Sequence, residues 1–327
     1  MRAILKRLGV AVGLASVLAG FVPVSVLAAD KPAPMIISSG EVTGYYFPVA
    51  GALCRVLNKD KPMGRTCAVE PTQGSSANVA ALASGDAEFG IVQSRAAMLA
   101  AGTGEGFTGQ PLPELRAVMS LYGEAVLVMT RPGGEMTQLN DVRGKRVNLG
   151  KPGSFQRSMA DALLSSAGLS EGDFSQVVEL DSEAQVQALC DGSIDAAFFA
   201  GVHPMSEVMT AIDQCGAVPL TIPNLVIVQG EKRHPWLSKV VIPGNSYDGI
   251  KDDITTLAVR ALLVTTTRIS SEEVYEIVKS IHGNFASLIR LHPVLAGLSR
   301  NDTAKAGVAI PLHDGSRRYF TEMGYLK

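Results

Sequence analysis

The sequence predicts an α/β protein made of two lobes of similar size that are joined by a hinge. Short apolar segments alternate with segments of helical periodicity almost from the start, which is typical of parallel strands connected by helices. The same alternation begins again after Leu115. Between the two series lies an apolar run from Ala117 to Thr130, which is long for one strand and is therefore expected to leave one lobe and enter the other.

The first series of elements precedes Leu115. Its predicted strands and helices are Met35–Gly40, Phe47–Asn58, Cys67–Pro71, Asn78–Ser84 and Phe89–Gln93, in the order strand, helix, strand, helix, strand. Short joints that contain Gly separate these segments, as expected for a parallel sheet with helices on both faces.

The second series starts with a strand at Arg146–Leu149 and a helix at Ser154–Ala167. The remaining predicted elements are the strands Val177–Leu180, Ala196–Ala200, Ala217–Leu220 and Leu257–Thr265 and the helices Glu183–Cys190, Ser206–Cys215, Ser271–Ile281 and Phe285–His292. With crossings near Tyr122–Glu124 and Leu220–Pro223, we expect lobe 1 to comprise residues 29–122 plus 223–327 and lobe 2 to comprise 123–222. Two crossings make a hinge and place a cleft between the lobes.

The N-terminal segment has the three parts of an export signal. Arg2, Lys6 and Arg7 form a basic region, an apolar stretch follows, and Val26-Leu27-Ala28 supplies small residues at a peptidase site. We therefore predict a signal peptide at residues 1–28, cleaved after Ala28, and a periplasmic location. An uncleaved membrane anchor is the alternative, because the apolar stretch is nearly long enough to span a bilayer. Cleavage is favoured by the Gly and Pro residues in the stretch.

The charge of the chain excludes some classes of partner. Removal of residues 1–28 leaves 26 Lys and Arg against 31 Asp and Glu, and no run of basic residues occurs. This mild acidic excess argues against nucleic-acid binding. We expect a monomer without a cofactor.

Four cysteines remain in the secreted chain: Cys54, Cys67, Cys190 and Cys215. An even number of cysteines in an oxidising compartment predicts two disulfides, for which three pairings are possible. The local pairing, Cys54–Cys67 and Cys190–Cys215, keeps each bridge inside one supersecondary unit. Buried free thiols are the less favoured alternative, and no spacing typical of a metal site occurs.

Five turns follow predicted strands and are candidates for ligand contacts. In open α/β sheets, ligands lie beyond the carboxyl ends of the strands, where the next helix presents free N–H groups. The turns are Gly40–Pro48, Thr72–Asn78, Gln93–Arg95, Gly150–Arg157 and Gly201–Pro204. Each has an ordinary structural explanation, such as helix capping by Ser75 or Ser154. Taken together, on two facing lobes, they favour a binding cleft.

Several of these segments, in this order and spacing, resemble the TAXI family of solute-binding proteins. That family supplies the extracytoplasmic receptors of one branch of the TRAP (tripartite ATP-independent periplasmic) transporters. The resemblance runs from about Met35 to Tyr325 and rests on Val42–Pro48, Gly74–Asn78, Gly85–Ser94, Ser120–Tyr122, Gly144–Val147, Pro152–Arg157, Cys190–Ala196, Gly201–Pro204 and Ile310–Gly315.

The resemblance implies a type II periplasmic-binding fold with a ligand between the lobes, and delivery of that ligand to a membrane permease. It implies a small carboxylate such as glutamate or 2-oxoglutarate as the solute, and it supports the local disulfide pairing. The positions that it implies for the site are Thr43, Tyr46, Ser75, Asn78, Gln93, Ser94, Arg95, Ser154, Phe155, Gln156, Arg157 and His203.

Among these residues we expect anion contacts from Ser75, Ser154, Gln156 and Arg157, and from Arg95 as a contact specific to this sequence. Tyr46 and Phe155 are expected to shape the pocket, and Gln93 and His203 to orient the ligand. Three positions depart from the family pattern: Gln73 stands where Gly is common, Arg95 where Asp is common, and Phe155 where Gly is usual. Arg95 makes this corner more positive, so a different or more aromatic anion is an alternative solute.

The sequence leaves two rival functions open. A receptor that serves an ATP-driven importer or a sensor kinase has the same fold, and the sequence does not distinguish it from a TRAP receptor. A periplasmic enzyme is the other rival, with Ser154 as nucleophile and His203 as base. No nucleophile elbow, metal-ligand cluster or acidic partner for His203 supports the enzyme, so we expect a receptor without catalysis.

Overall fold

A computed structural model of the chain describes residues 32–103, 106–107 and 109–326. The expected signal peptide lies outside these residues. No helix among those that the model describes is both long and apolar enough to cross a membrane.

The described strands form one curled, mixed sheet. They are β1 (Met35–Ser38), β2 (Cys67–Glu70), β3 (Phe89–Gln93), β4 (Leu115–Thr130), β5 (Arg146–Asn148), β6 (Gln176–Val178), β7 (Ala196–Gly201), β8 (Val218–Pro219), β9 (Leu237–Ile242) and β10 (Ile254–Thr266). Their order is β2-β1-β3-β10-β4-β7-β5-β6, with β8 paired to β4 and β9 paired to β10.

The helices connect these strands and cover the sheet. They are α1 (Tyr46–Asp60), α2 (Ser75–Ser84), α3 (Ser94–Met98), α4 (Phe155–Ser166), α5 (Ser182–Asp191), α6 (Ser206–Cys215), α7 (Asn224–Arg233), α8 (Ser271–Gly283), α9 (Phe285–Leu288), α10 (Arg300–Lys305) and α11 (Asp314–Glu322). Short 3-10 turns lie at Pro62–Gly64, Leu139–Val142, Glu171–Asp173 and Pro293–Leu295, and a π-helical turn lies at Leu99–Thr103.

The strands fall into two parallel sets separated by two long antiparallel strands. β2, β1 and β3 are parallel in the first set, and β6, β5 and β7 are parallel in the second. β4 and β10 lie between them and take part in both halves of the sheet. Both strands are buried over most of their length, which explains their nearly continuous apolar sequences.

Each half of the sheet has its own buried clusters. Leu53, Phe89 and Ile277 belong to a cluster on the first half. Leu163 and Phe198 belong to a cluster on the second half, and that cluster also contains Val226, Ile227, Trp236, Leu237, Leu257 and Val259. α7, β9 and the start of β10 therefore pack with the second half.

The division of the chain into lobe 1 and lobe 2 stays a prediction. The packing of α7 and β9 favours β10, rather than Leu220–Pro223, as the second crossing. We therefore propose that lobe 2 extends to the middle of β10 and that β4 and β10 together form the hinge.

Both expected disulfides are present, with the local pairing. Cys54 in α1 is bonded to Cys67 in β2, and Cys190 in α5 is bonded to Cys215 in α6. Each bridge ties together elements of one half of the sheet. The structure describes all four cysteines, and none of them is free.

Candidate functional site

The first three helices begin where strands end. α1, α2 and α3 follow β1, β2 and β3, so their N-termini lie at the carboxyl edge of the parallel set. At this edge free N–H groups and the positive end of the helix dipole favour a negatively charged ligand. The sequence-predicted residues Tyr46, Ser75 and Ser94 open these three helices.

Four side chains meet at this edge, and we call them the Glu124 cluster: Tyr46, Ser75, Gln93 and Glu124. The Ser75 hydroxyl accepts a hydrogen bond from the backbone N–H of Gln93 at 3.1 Å and is hydrogen-bonded to the Tyr46 side chain. The Gln93 amide donates to the Glu124 carboxyl at 3.3 Å. Three predicted site residues are therefore brought together, around a carboxyl group that the sequence analysis missed.

The environment of Glu124 is unusual for a carboxyl group. Burial raises its pKa from the ordinary value of 4.5 to about 7, and the hydrogen bond from Gln93 only partly opposes this. Burial, and then the nearby Glu124 carboxyl, also raises the pKa of Tyr46. In the described part of the chain Glu124 makes no ion pair. Its position in a long apolar strand was the signal that could have identified it.

Asn78 and Ser94 lie beneath this edge, fully buried. The Asn78 amide donates to the carbonyl oxygens of Ser39 and Ile91 at 2.5 and 2.7 Å, and its oxygen accepts from Thr72 at 2.6 Å. These contacts join the ends of neighbouring strands and favour a structural role for Asn78, while a contact with the ligand stays a prediction.

Ser94 connects the two halves of the sheet. Its hydroxyl donates to the Trp236 carbonyl at 2.7 Å and accepts from the Arg260 N–H at 3.0 Å. Arg95, next in the chain, is exposed, and its guanidinium lies over the Trp236 ring at 5.7 Å. Thr43 is exposed in the turn before α1.

The turn before α4 uses most of its polar groups internally. Ser154 caps the helix by accepting the backbone N–H of Arg157 at 3.1 Å. Gln156 is buried and hydrogen-bonded to Gln185 and Ser182, both at 3.0 Å. Phe155 packs on the core of the second half. These contacts favour the capping explanation of this turn over direct anion binding.

Arg157 is surrounded by acidic side chains. It pairs with Asp161 at 2.9 Å, with Glu179 at 3.1 Å, and with Glu171. An Arg that already holds three carboxylates has little capacity left for an anionic ligand. A role as an anion contact stays a prediction for Arg157. Its three acidic partners favour a structural role at the start of α4 instead.

His203 lies beyond the end of β7. Its Nε2 faces the Ala125 carbonyl at 3.3 Å and must donate to it, so Nδ1 accepts from the Tyr247 hydroxyl at 2.5 Å. Burial lowers the pKa of His203 to about 4. Both ring nitrogens are thus engaged. Ser154 and His203 have different hydrogen-bond partners, so these bonds do not pair them as nucleophile and base.

A cavity of about 940 Å³ adjoins the crossing strands. Its walls come from β4, β9 and β10, the segment after β7, and the segment 293–307. Its polar lining includes Tyr122, His203, Ser238, Lys239, Arg260, Asp302 and Lys305. His203 is therefore part of this cavity and not of the Glu124 cluster. No group of three or more His, Cys, Asp or Glu side chains that could hold a metal ion occurs in the described ranges.

Two parallel strand sets joined by two crossing strands, with helix N-termini at the strand ends, define the fold of periplasmic solute-binding proteins. Two solved structures agree. A TctC solute-binding protein from Polaromonas, without ligand, is 13% identical with a TM-score of 0.56, and the match covers 91% of this chain and 100% of that one. The sulfonate-binding protein SsuA from Methylobacillus flagellatus KT is 17% identical with a TM-score of 0.50, covering 80% and 73%.

The family model of the NMT1-like family matches residues 37–324, nearly all of the described chain. The chain therefore belongs to the NMT1-like family. The similarity to the two solved structures, at this level of identity, establishes the shared two-lobed fold.

Proposed function

We propose that the protein is an extracytoplasmic receptor that captures a small carboxylate, similar to glutamate or 2-oxoglutarate, between its two lobes. The observation that carries the proposal is the Glu124 cluster, where hydroxyl, amide and carboxyl groups meet at the N-terminal ends of α1 and α2. Membership of the NMT1-like family and the two-lobed fold support a receptor. The similar fold of a sulfonate-binding protein is in keeping with an anionic solute.

The proposed mechanism is closure of the lobes around the solute. β4 and β10 connect the halves, and a solute that contacts both halves stabilises the closed arrangement over the open one. Tyr46, Ser75 and Gln93 supply contacts from the first half. Phe155 and the turn at Gly150–Ser154 supply the facing wall from the second.

We further propose that the receptor belongs to the TAXI family and delivers its solute to a TRAP permease. The motifs of the sequence support this assignment. We also propose that the chain is secreted and that its signal peptide is cleaved after Ala28. N-terminal sequencing of the protein purified from the periplasm tests the cleavage. Uptake by membrane vesicles tests the transporter class, because a TRAP system requires an ion gradient, whereas an ATP-driven importer requires ATP.

Thermal-shift and calorimetric titrations with a panel of mono- and dicarboxylates test the solute. We expect Ser75→Ala to weaken binding, by about tenfold for one lost hydrogen bond to a charged group. Ser84→Ala is the matched control, because Ser84 is exposed at the other end of α2. The proposal would be contradicted if Ser75→Ala and Ser84→Ala bound the solute with equal affinity. It would also be contradicted if no carboxylate raised the melting temperature of the unmodified protein. A receptor releases the solute chemically unchanged after incubation, whereas an enzyme converts it, so analysis of the recovered solute distinguishes the two.

A further inference from the structure

The cavity beside the crossing strands contains a buried guanidinium group. Arg260 is only 6% exposed and lines the cavity. Its Nε donates to the Ser120 hydroxyl at 3.1 Å, and one terminal nitrogen donates to the Leu121 carbonyl. Burial lowers its pKa to about 10, so the side chain stays charged at neutral pH.

No carboxylate neutralises this charge directly. Within the described residues Arg260 forms no ion pair, and Asp302, the acidic group that acts on it, lies beyond ion-pair distance. A buried charge without a partner costs several kcal/mol, and an anion supplied from solution removes that cost. Elsewhere in the lining the exposed Lys239 and Lys305 are balanced by Glu231 and Asp302, so Arg260 supplies the excess positive charge.

One hydroxyl group on the same cavity also lacks a partner. Ser238 on β9 is 4% exposed, and its hydroxyl has no hydrogen-bond partner among the described residues. Buried polar groups are nearly always hydrogen-bonded, so an orphan hydroxyl beside an unpaired guanidinium indicates that a polar ligand belongs here. The Tyr122 hydroxyl is not part of this group, because Tyr46 and Glu124 are its electrostatic neighbours.

Two glycines make room around Arg260. Gly307 has a φ of +63°, and a Cβ at this position would lie 2.6 Å from the Arg260 side chain. Gly123 faces Arg260 across the β4–β10 pairing and places no side chain in front of the guanidinium. A larger residue at either position would fill the space next to the charge.

The cavity lies on the opposite face of the crossing strands from the Glu124 cluster. Gly123 pairs with Arg260, and Glu124 pairs with Val259. Directly opposed residues share a face of the sheet and successive residues alternate. Arg260 and Glu124 therefore point away from each other, and no member of the Glu124 cluster lines the cavity.

We propose that this cavity is a second ligand site, which binds a small inorganic oxyanion such as sulfate through Arg260 and the Ser238 hydroxyl. Such an anion presents the paired oxygens that a guanidinium binds best. The site is independent of the solute proposed for the Glu124 cluster.

Fluorescence titration with sulfate at constant ionic strength tests the site. Trp236, the chain's single Trp, is adjacent to the cavity lining and reports binding. Ser238→Ala removes only an orphan hydroxyl, so it should leave the melting temperature of the free protein unchanged or raised. We expect it to weaken sulfate binding by about tenfold, and Arg260→Gln to abolish it.

The controls separate this site from its surroundings. Arg290→Gln removes the same charge from an exposed position, and Ser75→Ala alters the Glu124 cluster; both should bind sulfate as the unmodified protein does. The proposal is overturned if the unmodified protein does not bind sulfate, if Ser238→Ala binds it normally, or if Ser75→Ala abolishes binding.

Discussion

Replacement of Glu124 by Gln should make the protein more stable in neutral and alkaline solution. In the folded protein burial raises the pKa of Glu124 from 4.5 to about 7. Between these two pH values the folded state retains a proton that the unfolded chain releases. The contribution of Glu124 to stability is therefore greatest below pH 4.5 and is lost as the pH rises through 7.

The size of the effect follows from the pKa difference. One pKa unit corresponds to 1.36 kcal/mol, so ionisation of Glu124 costs the folded state about 3 kcal/mol at pH 8. Residue 124 keeps some solvent exposure, which makes this value an upper bound. Glutamine has the same shape and no charge, and its oxygen still accepts the hydrogen bond from Gln93.

Urea unfolding followed by circular dichroism at pH 4.5 and pH 8 measures this difference. We expect the free energy of unfolding of Glu124→Gln to exceed that of the unmodified protein by up to about 3 kcal/mol at pH 8 and by little at pH 4.5. Glu135→Gln, at an exposed loop position, is the control and should show no such dependence. A stability difference that is the same at both pH values, or larger at pH 4.5, would refute the reasoning.

Three further outcomes are expected. His203 has a lowered pKa of about 4, so stability should fall by about 3 kcal/mol as the pH drops from 6.5 to 4, and His203→Gln should lose less over that range in urea titrations. The Cys54→Ala/Cys67→Ala variant should lose about 3 kcal/mol, measured by thermal unfolding, because its 13-residue loop is no longer closed; an unchanged melting temperature would contradict this. Asn78→Ala should cost about 3 kcal/mol in urea, since it leaves buried partners unsatisfied; a cost below 1 kcal/mol would count against its structural role.

Much of the fold could be predicted because its signals are local. The strand-to-helix alternation, the long run of β4 and the pairing of nearby cysteines all depend on residues close in the chain. The crossing by β10 could not be predicted in the same way. Trp236 and Leu237 pack beside Leu163 and Phe198, and no local pattern indicates which half of the sheet a segment will join.

The candidate site shows the same division. The turns after β1, β2 and β3 could be predicted, because strand ends and helix starts are marked by Gly, Ser and Pro. The three acidic partners of Arg157 could not, since Asp161, Glu171 and Glu179 come from three different segments. An Arg next to a helix start looks the same in sequence whether or not carboxylates already surround it.

The sequence by itself predicted most of the alternation of strands and helices from β1 to β8, the local disulfide pairing and the position of the strand-end turns. It did not predict α3, α7, β9, α10 or α11. It also contained two isolated charges, Glu124 in β4 and Arg260 in β10, within otherwise apolar stretches of the crossing strands. Only the tertiary structure decided what these charges face. Pairing of β4 with β10 directs them to opposite sides, so that one carboxyl group is surrounded by Tyr46 and Gln93 and one guanidinium lines a cavity. Burial and the distance to a counter-charge depend on segments far apart in the chain, and these quantities decide whether a charged residue binds a ligand.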